Sequence, residues 1–73
     1  RDSKQVGDRV DYKRAVLRAA SSRDERSAGD HLDMARELQA GLRSHYDGDV
    51  ELTAVERRRI RAAVRWNLQQ ARY

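Results

Sequence analysis

The fold is decided by residues 12–52, which read YKRAVLRAASSRDERSAGDHLDMARELQAGLRSHYDGDVEL. Ala and Leu recur at helical spacing in the first part, and a turn-forming run of Ser, Arg and Asp separates them from a longer apolar pattern. A second turn, at residues 47–49, comes before Val50 and Leu52. The pattern predicts two helices joined by a short turn, with the two apolar residues after the second turn pinned to the core.

The whole chain contains three helical patterns. We predict helices over residues 8–20, 27–46 and 54–72, after a flexible segment at residues 1–7. Gly41 lies within the second helix, where Gly costs about 1 kcal/mol relative to Ala, and we expect it to permit a close helix crossing. The third helix begins with a capping box formed by Thr53 and Glu56. The predicted fold is all-α, a small antiparallel three-helix bundle made of a helical hairpin and a third, Arg-rich helix.

The composition narrows the class of protein. The chain has 73 residues, no Cys and no Pro, which indicates one domain without disulfides and fits uninterrupted helices. It carries 16 Lys and Arg against 12 Asp and Glu, and most of the cations are Arg, which binds carboxylates and phosphates bidentately. No apolar run is long enough for a transmembrane segment, and we expect a cytoplasmic location. Because the chain begins at Arg1 rather than Met, we expect it to be part of a longer protein.

The third helix is rich in arginine. Arg58, Arg61 and Arg65 fall on one outward stripe at 100° per residue, with Arg72 further along. Trp66 is expected to project near this stripe, and an outward Trp flanked by Arg is typical of a binding hot spot. The same residues suit base stacking with phosphate neutralisation. The alternative is a solvated basic face, with Trp66 covered by the first helix or by the N-terminal segment.

No metal site or catalytic motif is predicted. His31 and His45 are fourteen residues apart on one helix, too far to share a metal ion, and the chain has no Cys for a zinc site. Residues 45–56 echo a calcium loop, but His45 replaces the first acidic ligand and Val50 replaces the turn glycine. No nucleophile–base pair and no glycine-rich phosphate loop is present. We therefore expect a protein that is not an enzyme and needs no cofactor.

A set of positions within residues 12–52 carries a family resemblance. It consists of Tyr12, Lys13, Ala15, Leu17 and Ala19, then Asp24, Glu25, Ala28, Leu32, Ala35, Arg36, Leu38 and Leu42, and finally Gly48, Val50, Glu51 and Leu52. This pattern resembles the helical-hairpin repeat of the Lethal giant discs family. Arg23 stands where that repeat usually has a turn glycine, no Pro follows Gly48, and the third helix lies outside the pattern.

The resemblance implies binding to an ESCRT-III subunit in endosomal trafficking. In that family a basic surface of the repeat meets an acidic helical surface of the subunit and limits its polymerisation. The matching basic residues in this chain are Lys13, Arg14, Arg18, Arg23 and Arg26. The alternative for them is a solvated face that is balanced by neighbouring acids.

We expect a non-catalytic protein-interaction module whose basic surface binds an acidic helical partner. Charge attraction speeds such an encounter, while a few buried anchors supply affinity, and Trp66 and Tyr12 are the candidate anchors. Two alternatives stay open. One is a nucleic-acid-binding domain that uses the third helix. The acidic residues that are spread through all three helices argue against this alternative. The other is a self-associating regulator, similar to an antitoxin, that completes its core only as a homodimer.

Overall fold

The computed structural model describes residues 2–72, with side-chain surroundings from residue 9 onward. It contains the helices α1 (Asp2–Ser21), α2 (Ala28–Tyr46) and α3 (Ala54–Ala71). The three helices pack against one another, and no strand occurs within residues 2–72. The predicted all-α three-helix bundle is confirmed.

The start of α1 differs from the prediction. The helix begins at Asp2 rather than near Asp8, so Gly7 and Asp8 lie inside it instead of marking its start. Neither residue forbids a helix, because an internal Gly costs only about 1 kcal/mol and the chain has no Pro to end the helix. Arg1 lies outside the described residues, and the flexibility expected of residues 1–7 stays a prediction.

The starts of α2 and α3 agree with the sequence because each has a capping residue. The hydroxyl of Ser27 accepts the N–H of Asp30 at 3.1 Å. The predicted capping box is present at α3, where Thr53 N–H donates to Glu56 at 2.8 Å and Glu56 N–H donates to Thr53 at 3.1 Å. These bonds satisfy N–H groups that a helix start leaves unpaired. The helix α3 ends one residue earlier than predicted, with Arg72 as its C-cap.

The turn after α2 requires a glycine. Gly48 has a φ of +86°, in the left-handed region that side chains other than Gly rarely adopt. The N–H of Asp49 donates to the carbonyl of Ser44 at 2.9 Å, as in a Schellman motif. Val50 and Leu52 follow this turn and are buried, so the predicted anchoring of the α2–α3 loop to the core is confirmed.

His45 and Arg57 hold the same loop from its inner side. The Nδ1 of His45 lies 3.2 Å from the carbonyl oxygen of Val50 and 3.1 Å from the backbone nitrogen of Leu52. The Nη1 of Arg57 lies 3.2 Å from the Nε2 of His45 and donates to the carbonyl of Leu52 at 2.7 Å. His45 is thus a structural histidine, and Arg57 serves the loop rather than the outer surface of α3.

The core lies where the three helices and the α2–α3 loop meet. The contact between α2 and α3 is the largest of the three helix pairs, and that between α1 and α2 is the smallest. The buried apolar side chains are Val16, Ala20, Ala35, Leu38, Val50, Leu52, Ile60, Ala63 and Val64. Since most of these residues are small or medium in size, close approach of the helices is needed to fill the core.

Two buried polar side chains join α2 to α3. The Nδ1 of His31 lies 2.8 Å from the Oδ1 of Asn67, and the Asn67 amide donates to the carbonyl of Ala63 at 2.9 Å. The N–H of Arg26 donates to the Nε2 of His31 at 3.3 Å, so Nδ1 carries the proton that is given to Asn67. Every polar atom of this pair has a partner, which is the condition for burying it at low cost.

The close crossing of α1 and α2 occurs at Gly41. Gly41 is buried, and a Cβ added there would lie 2.9 Å from the Cγ1 of Val16. Val16 is 8% exposed and β-branched, so it has little freedom to turn away. The role expected of Gly41 is confirmed.

We predict that Gly41→Ala lowers the free energy of unfolding by about 1 kcal/mol. Overpacking a tight core costs about 1–3 kcal/mol, and the better helix propensity of Ala offsets about 1 kcal/mol of it. Chemical denaturation followed by circular dichroism measures the change.

Gly29 in the same helix provides the matched control. The nearest atom to a Cβ at Gly29 is the Ser27 hydroxyl at 4.0 Å, so Gly29→Ala should stabilise the protein by about 0.5 kcal/mol. Adding Val16→Ala to Gly41→Ala should show favourable coupling, because it removes the clash. Equal stabilisation by the two Gly→Ala changes would contradict the close crossing.

Candidate functional site

The side chains predicted to bind a partner do not form one continuous surface. They are Lys13, Arg14, Arg18, Arg23, Arg26, Arg58, Arg61, Arg65 and Trp66. The structure places the cations in three groups, along α1, at the α1–α2 loop and on the outer side of α3, and it turns Trp66 of α3 toward the α1–α2 loop. Contacts within the chain already engage several of them.

Lys13 is paired with an acidic side chain of α3. Its Nζ lies 3.3 Å from the Oε1 of Glu56, the carboxylate that also accepts the N–H of Thr53. The pKa of Glu56 is lowered, first by the backbone N–H of Thr53 and further by Lys13, against a partial opposing effect of burial. Lys13 therefore ties α1 to the start of α3 and is not a free cation on the predicted basic surface.

Arg14 and Arg18 are exposed along α1, and neither makes an ion pair with a side chain in residues 9–72. Arg26, at the α1–α2 loop, has a loose contact of 3.9 Å with Asp24. These three residues are the part of the family-type basic surface that stays available.

Arg23 covers the ring of Trp66. Its guanidinium carbon lies 5.1 Å from the indole centroid, and its Nη1 donates to the carbonyls of Ala20 and Ser22, each at 2.8 Å. His31 packs edge-on against the same indole, with ring centroids 5.3 Å apart. A cation over an aromatic face contributes about 0.5–1 kcal/mol at such a site. Arg23 and Trp66 thus close the α1–α2 loop onto α3.

The expected grouping of Trp66 with the arginine stripe of α3 is not found. Trp66 follows Arg65 by one position, which is about 100° around the helix, and it turns toward Arg23 and His31. The half-buried indole is covered by Arg23 of the α1–α2 loop and by His31 of α2. Trp66 is therefore a packing residue in this structure.

The outer side of the α2–α3 pair carries a surface of arginines. It consists of Arg36 and Arg43 on α2 and of Arg58, Arg61, Arg65 and Arg72 along α3, all of them exposed. We name this surface the arginine face. Helical spacing places Asp30 and Glu37 of α2 toward α1, and Glu56 of α3 faces Lys13. Asp33, one turn before Arg36, and Asp47, one turn after Arg43, border the arginine face on its α2 side. The arginine face is therefore predominantly positive, with carboxylates only at its α2 edge among the described residues.

A shallow groove of about 370 Å³ runs between the two rows of arginines. Leu42, Val64 and Leu68 form its apolar floor, and Arg61 and Arg65 stand on its rim. At one end, Arg61 donates to the hydroxyl of Tyr46, a side chain that is 62% exposed. The arrangement combines an apolar seam with Arg61 and Arg65 of α3 on one side and Gln39 of α2 on the other.

Our sequence interpretation missed the α2 half of the arginine face. Arg36, Gln39, Arg43 and Tyr46 recur every three or four residues, which marks a single polar stripe on α2. The polar stripe of α2 could be recognised from the sequence. The sequence of α2 alone does not show, however, that this stripe lies beside the arginine stripe of α3.

A second groove, of about 300 Å³, lies between α1 and α2. Its lining residues are Tyr12, Ala15, Val16, Ala19, Glu37, Leu38 and Ala40. The small side chains and the limited contact between these helices leave it open, and Tyr12 at its end is 37% exposed. We name it the α1–α2 groove.

Comparison with protein-family models, with curated proteins and with solved structures gives no match. The resemblance to the Lethal giant discs repeat therefore stays a prediction. Among the described residues, no helix is long and apolar enough to cross a membrane. Within the same part of the chain, no three His, Asp or Glu side chains come together as a metal ion would require.

We predict that Glu56→Gln destabilises the protein in a pH-dependent way. The pKa of Glu56 in the folded state is lower than its ordinary value of 4.5, so the ionised carboxylate adds stability that is fully present above about pH 4.5. That stability is lost as the pH falls through the lowered pKa. Gln keeps the hydrogen bonds but not the charge, so the variant should be about 0.5–1 kcal/mol less stable at neutral pH.

Thermal unfolding between about pH 3 and pH 7 measures the effect of Glu56→Gln. The two melting curves should converge toward the acidic end. Glu25→Gln is the control, because Glu25 is exposed and makes no ion pair with another described side chain. A stability difference for Glu56→Gln that does not change with pH would show that the charge contributes nothing.

Proposed function

We propose that the chain is a non-catalytic protein-interaction module that binds an acidic, amphipathic helix on its arginine face. The segregation of charge is the observation that carries this proposal. The arginine face presents six exposed guanidinium groups from two helices, and the carboxylates that border it, Asp33 and Asp47, lie at its α2 edge. A helix with acidic edges and an apolar stripe complements both the arginine rows and the apolar groove between them.

The spacing of the arginines supports a helix as the partner. Arg58 and Arg65 are seven residues apart on α3, as are Arg36 and Arg43 on α2, which corresponds to about 10.5 Å along each helix. Acidic residues at seven-residue spacing on a partner helix recur at the same distance. A helix lying along the groove can therefore pair with each arginine row twice, as the fourth helix of a bundle.

The two kinds of contact have different energetic roles. An exposed Arg–carboxylate pair is worth at most about 1 kcal/mol, so charge mainly accelerates encounter and selects acidic partners. Affinity depends on burying Leu42 and Leu68, which are only partly covered within the chain. Arg61 is already held by Tyr46, so it loses less side-chain freedom on binding.

The arginine face has more support than the basic surface that the family resemblance implies. In that surface Lys13 pairs with Glu56, and Arg23 donates to the carbonyls of Ala20 and Ser22 and covers Trp66. An ESCRT-III subunit remains the specific partner suggested by the resemblance, with endosomal trafficking as the setting and a cytoplasmic location. Those details belong to this proposal and await the binding test.

Duplex nucleic acid is the second candidate for the arginine face. Most of the acids that argue against it in the sequence lie away from this face, and Asp33 and Asp47 border it. Within residues 9–72 the exposed aromatic side chain at the face is Tyr46, whose hydroxyl is bonded to Arg61, which does not favour stacking of single-stranded bases there. A phosphate backbone would use the arginine rows but not the apolar groove, which is why we favour a helix.

We predict that Arg61→Glu combined with Arg65→Glu weakens binding of an acidic helix at least tenfold. The probes are a fluorescein-labelled amphipathic peptide, with Glu on both edges of a Leu stripe, and a purified ESCRT-III subunit. Fluorescence anisotropy gives the dissociation constants. The circular dichroism spectrum should not change, because both side chains are exposed.

Arg14→Glu combined with Arg18→Glu is the charge-matched control, since it makes the same charge change on α1. Binding of the peptide should persist in this control. The opposite result, with binding lost only in the α1 variant, would assign the site to the family-type surface and overturn the arginine face. Leu68→Ser separates the two ligand classes: it should weaken peptide binding but leave duplex DNA binding, with its steep salt dependence, unchanged.

A further inference from the structure

We infer that the α1–α2 groove and its two edges form a self-association surface that packs against the same surface of a second copy of this chain. This surface is separate from the arginine face, so the inference does not rest on the proposed function. It explains why α1 carries apolar side chains on two sides: Val16 and Ala20 face the core, while Tyr12, Ala15 and Ala19 line the groove.

The apolar floor of the α1–α2 groove continues along α1. Ala15 and Ala19 also line a neighbouring hollow of about 370 Å³, which reaches Met34 on α2 and Arg18 on α1. From Tyr12 to Ala19 the apolar surface spans about 10.5 Å of helix. Alanines at the contact let a further helix approach closely, as small residues do at tight helix crossings.

The edges of the groove carry opposite charges. Arg14 and Arg18, with Asp11 beside them, give the α1 edge a net positive charge, and Asp33 and Glu37 give the α2 edge a negative charge; all five are exposed and without an ion pair among the described side chains. A foreign helix would need one acidic edge and one basic edge to match. A second copy supplies this match by symmetry.

A two-fold axis along the groove brings the complementary edges together. It lays α1 of one copy over α2 of the other, so the basic edge of each copy meets the acidic edge of its partner, and every contact occurs twice. The chain's net charge of +4 opposes association in general. The arginine face lies on the other side of α2, however, so its charges stay far apart in such a dimer.

Variants that reverse the charge of one edge of the groove test the inference, and sedimentation measures their mass in solution. The unmodified chain should pass from 8.5 kDa to twice that mass as its concentration rises from about 5 µM to about 1 mM. Arg14→Glu with Arg18→Glu gives both edges a net negative charge, and Asp33→Lys with Glu37→Lys gives both a net positive charge, with Asp11 present in each variant. Each variant alone should dimerise at least tenfold more weakly.

Mixing the two edge variants is the decisive measurement. One then offers edges of net negative charge and the other edges of net positive charge, so an equimolar mixture should form a heterodimer where neither forms a homodimer. Arg61→Glu with Arg65→Glu is the control of equal charge change and should dimerise like the unmodified chain. A mass of 8.5 kDa at every concentration, or no heterodimer in the mixture, overturns the inference.

Discussion

The buried hydrogen bond between His31 and Asn67 aligns α2 with α3, and the surfaces built on this pair depend on that alignment. Arg26 N–H occupies the other ring nitrogen of His31, and the carbonyl of Ala63 accepts the amide of Asn67. Only one register satisfies all of these groups, because a slip by one turn would leave buried polar atoms unpaired at about 1–3 kcal/mol each. The two arginine rows and the groove between them are therefore set by a polar contact inside the core.

The features of the fold that could be predicted are those that depend on local chemistry. The apolar spacing of α2 and the capping box at Thr53 are readable within a few residues, and both are found. The close approach at Gly41 was also predictable, since a glycine amid an apolar helix needs a packing reason. The start of α1 was not, because Gly7 and Asp8 resemble a helix start whether or not the helix continues through them.

The candidate site was less predictable because its parts come from different helices. A helical wheel gives the arginine stripe of α3, but only the packed pair shows that Arg36 and Arg43 extend it. The same limit explains the misplacement of Trp66, whose cover comes from Arg23 and His31. A count of charged residues also treats every cation as free to bind a partner. Lys13 is not, because it pairs with Glu56, which is distant in sequence but adjacent in the fold.

The enclosure of Trp66 has a practical consequence. It is the only tryptophan in the chain, and its indole is wedged between the guanidinium of Arg23 and the ring of His31. Its fluorescence therefore reports on one place, the junction of the α1–α2 loop with α3. A ligand on the far side of α3 is expected to leave the emission maximum of Trp66 unchanged. Release of the α1–α2 loop is expected to expose the indole to water and to shift the emission maximum to longer wavelength. The molecule thus carries an intrinsic optical probe that distinguishes ligand binding at the arginine face from opening of the α1–α2 loop.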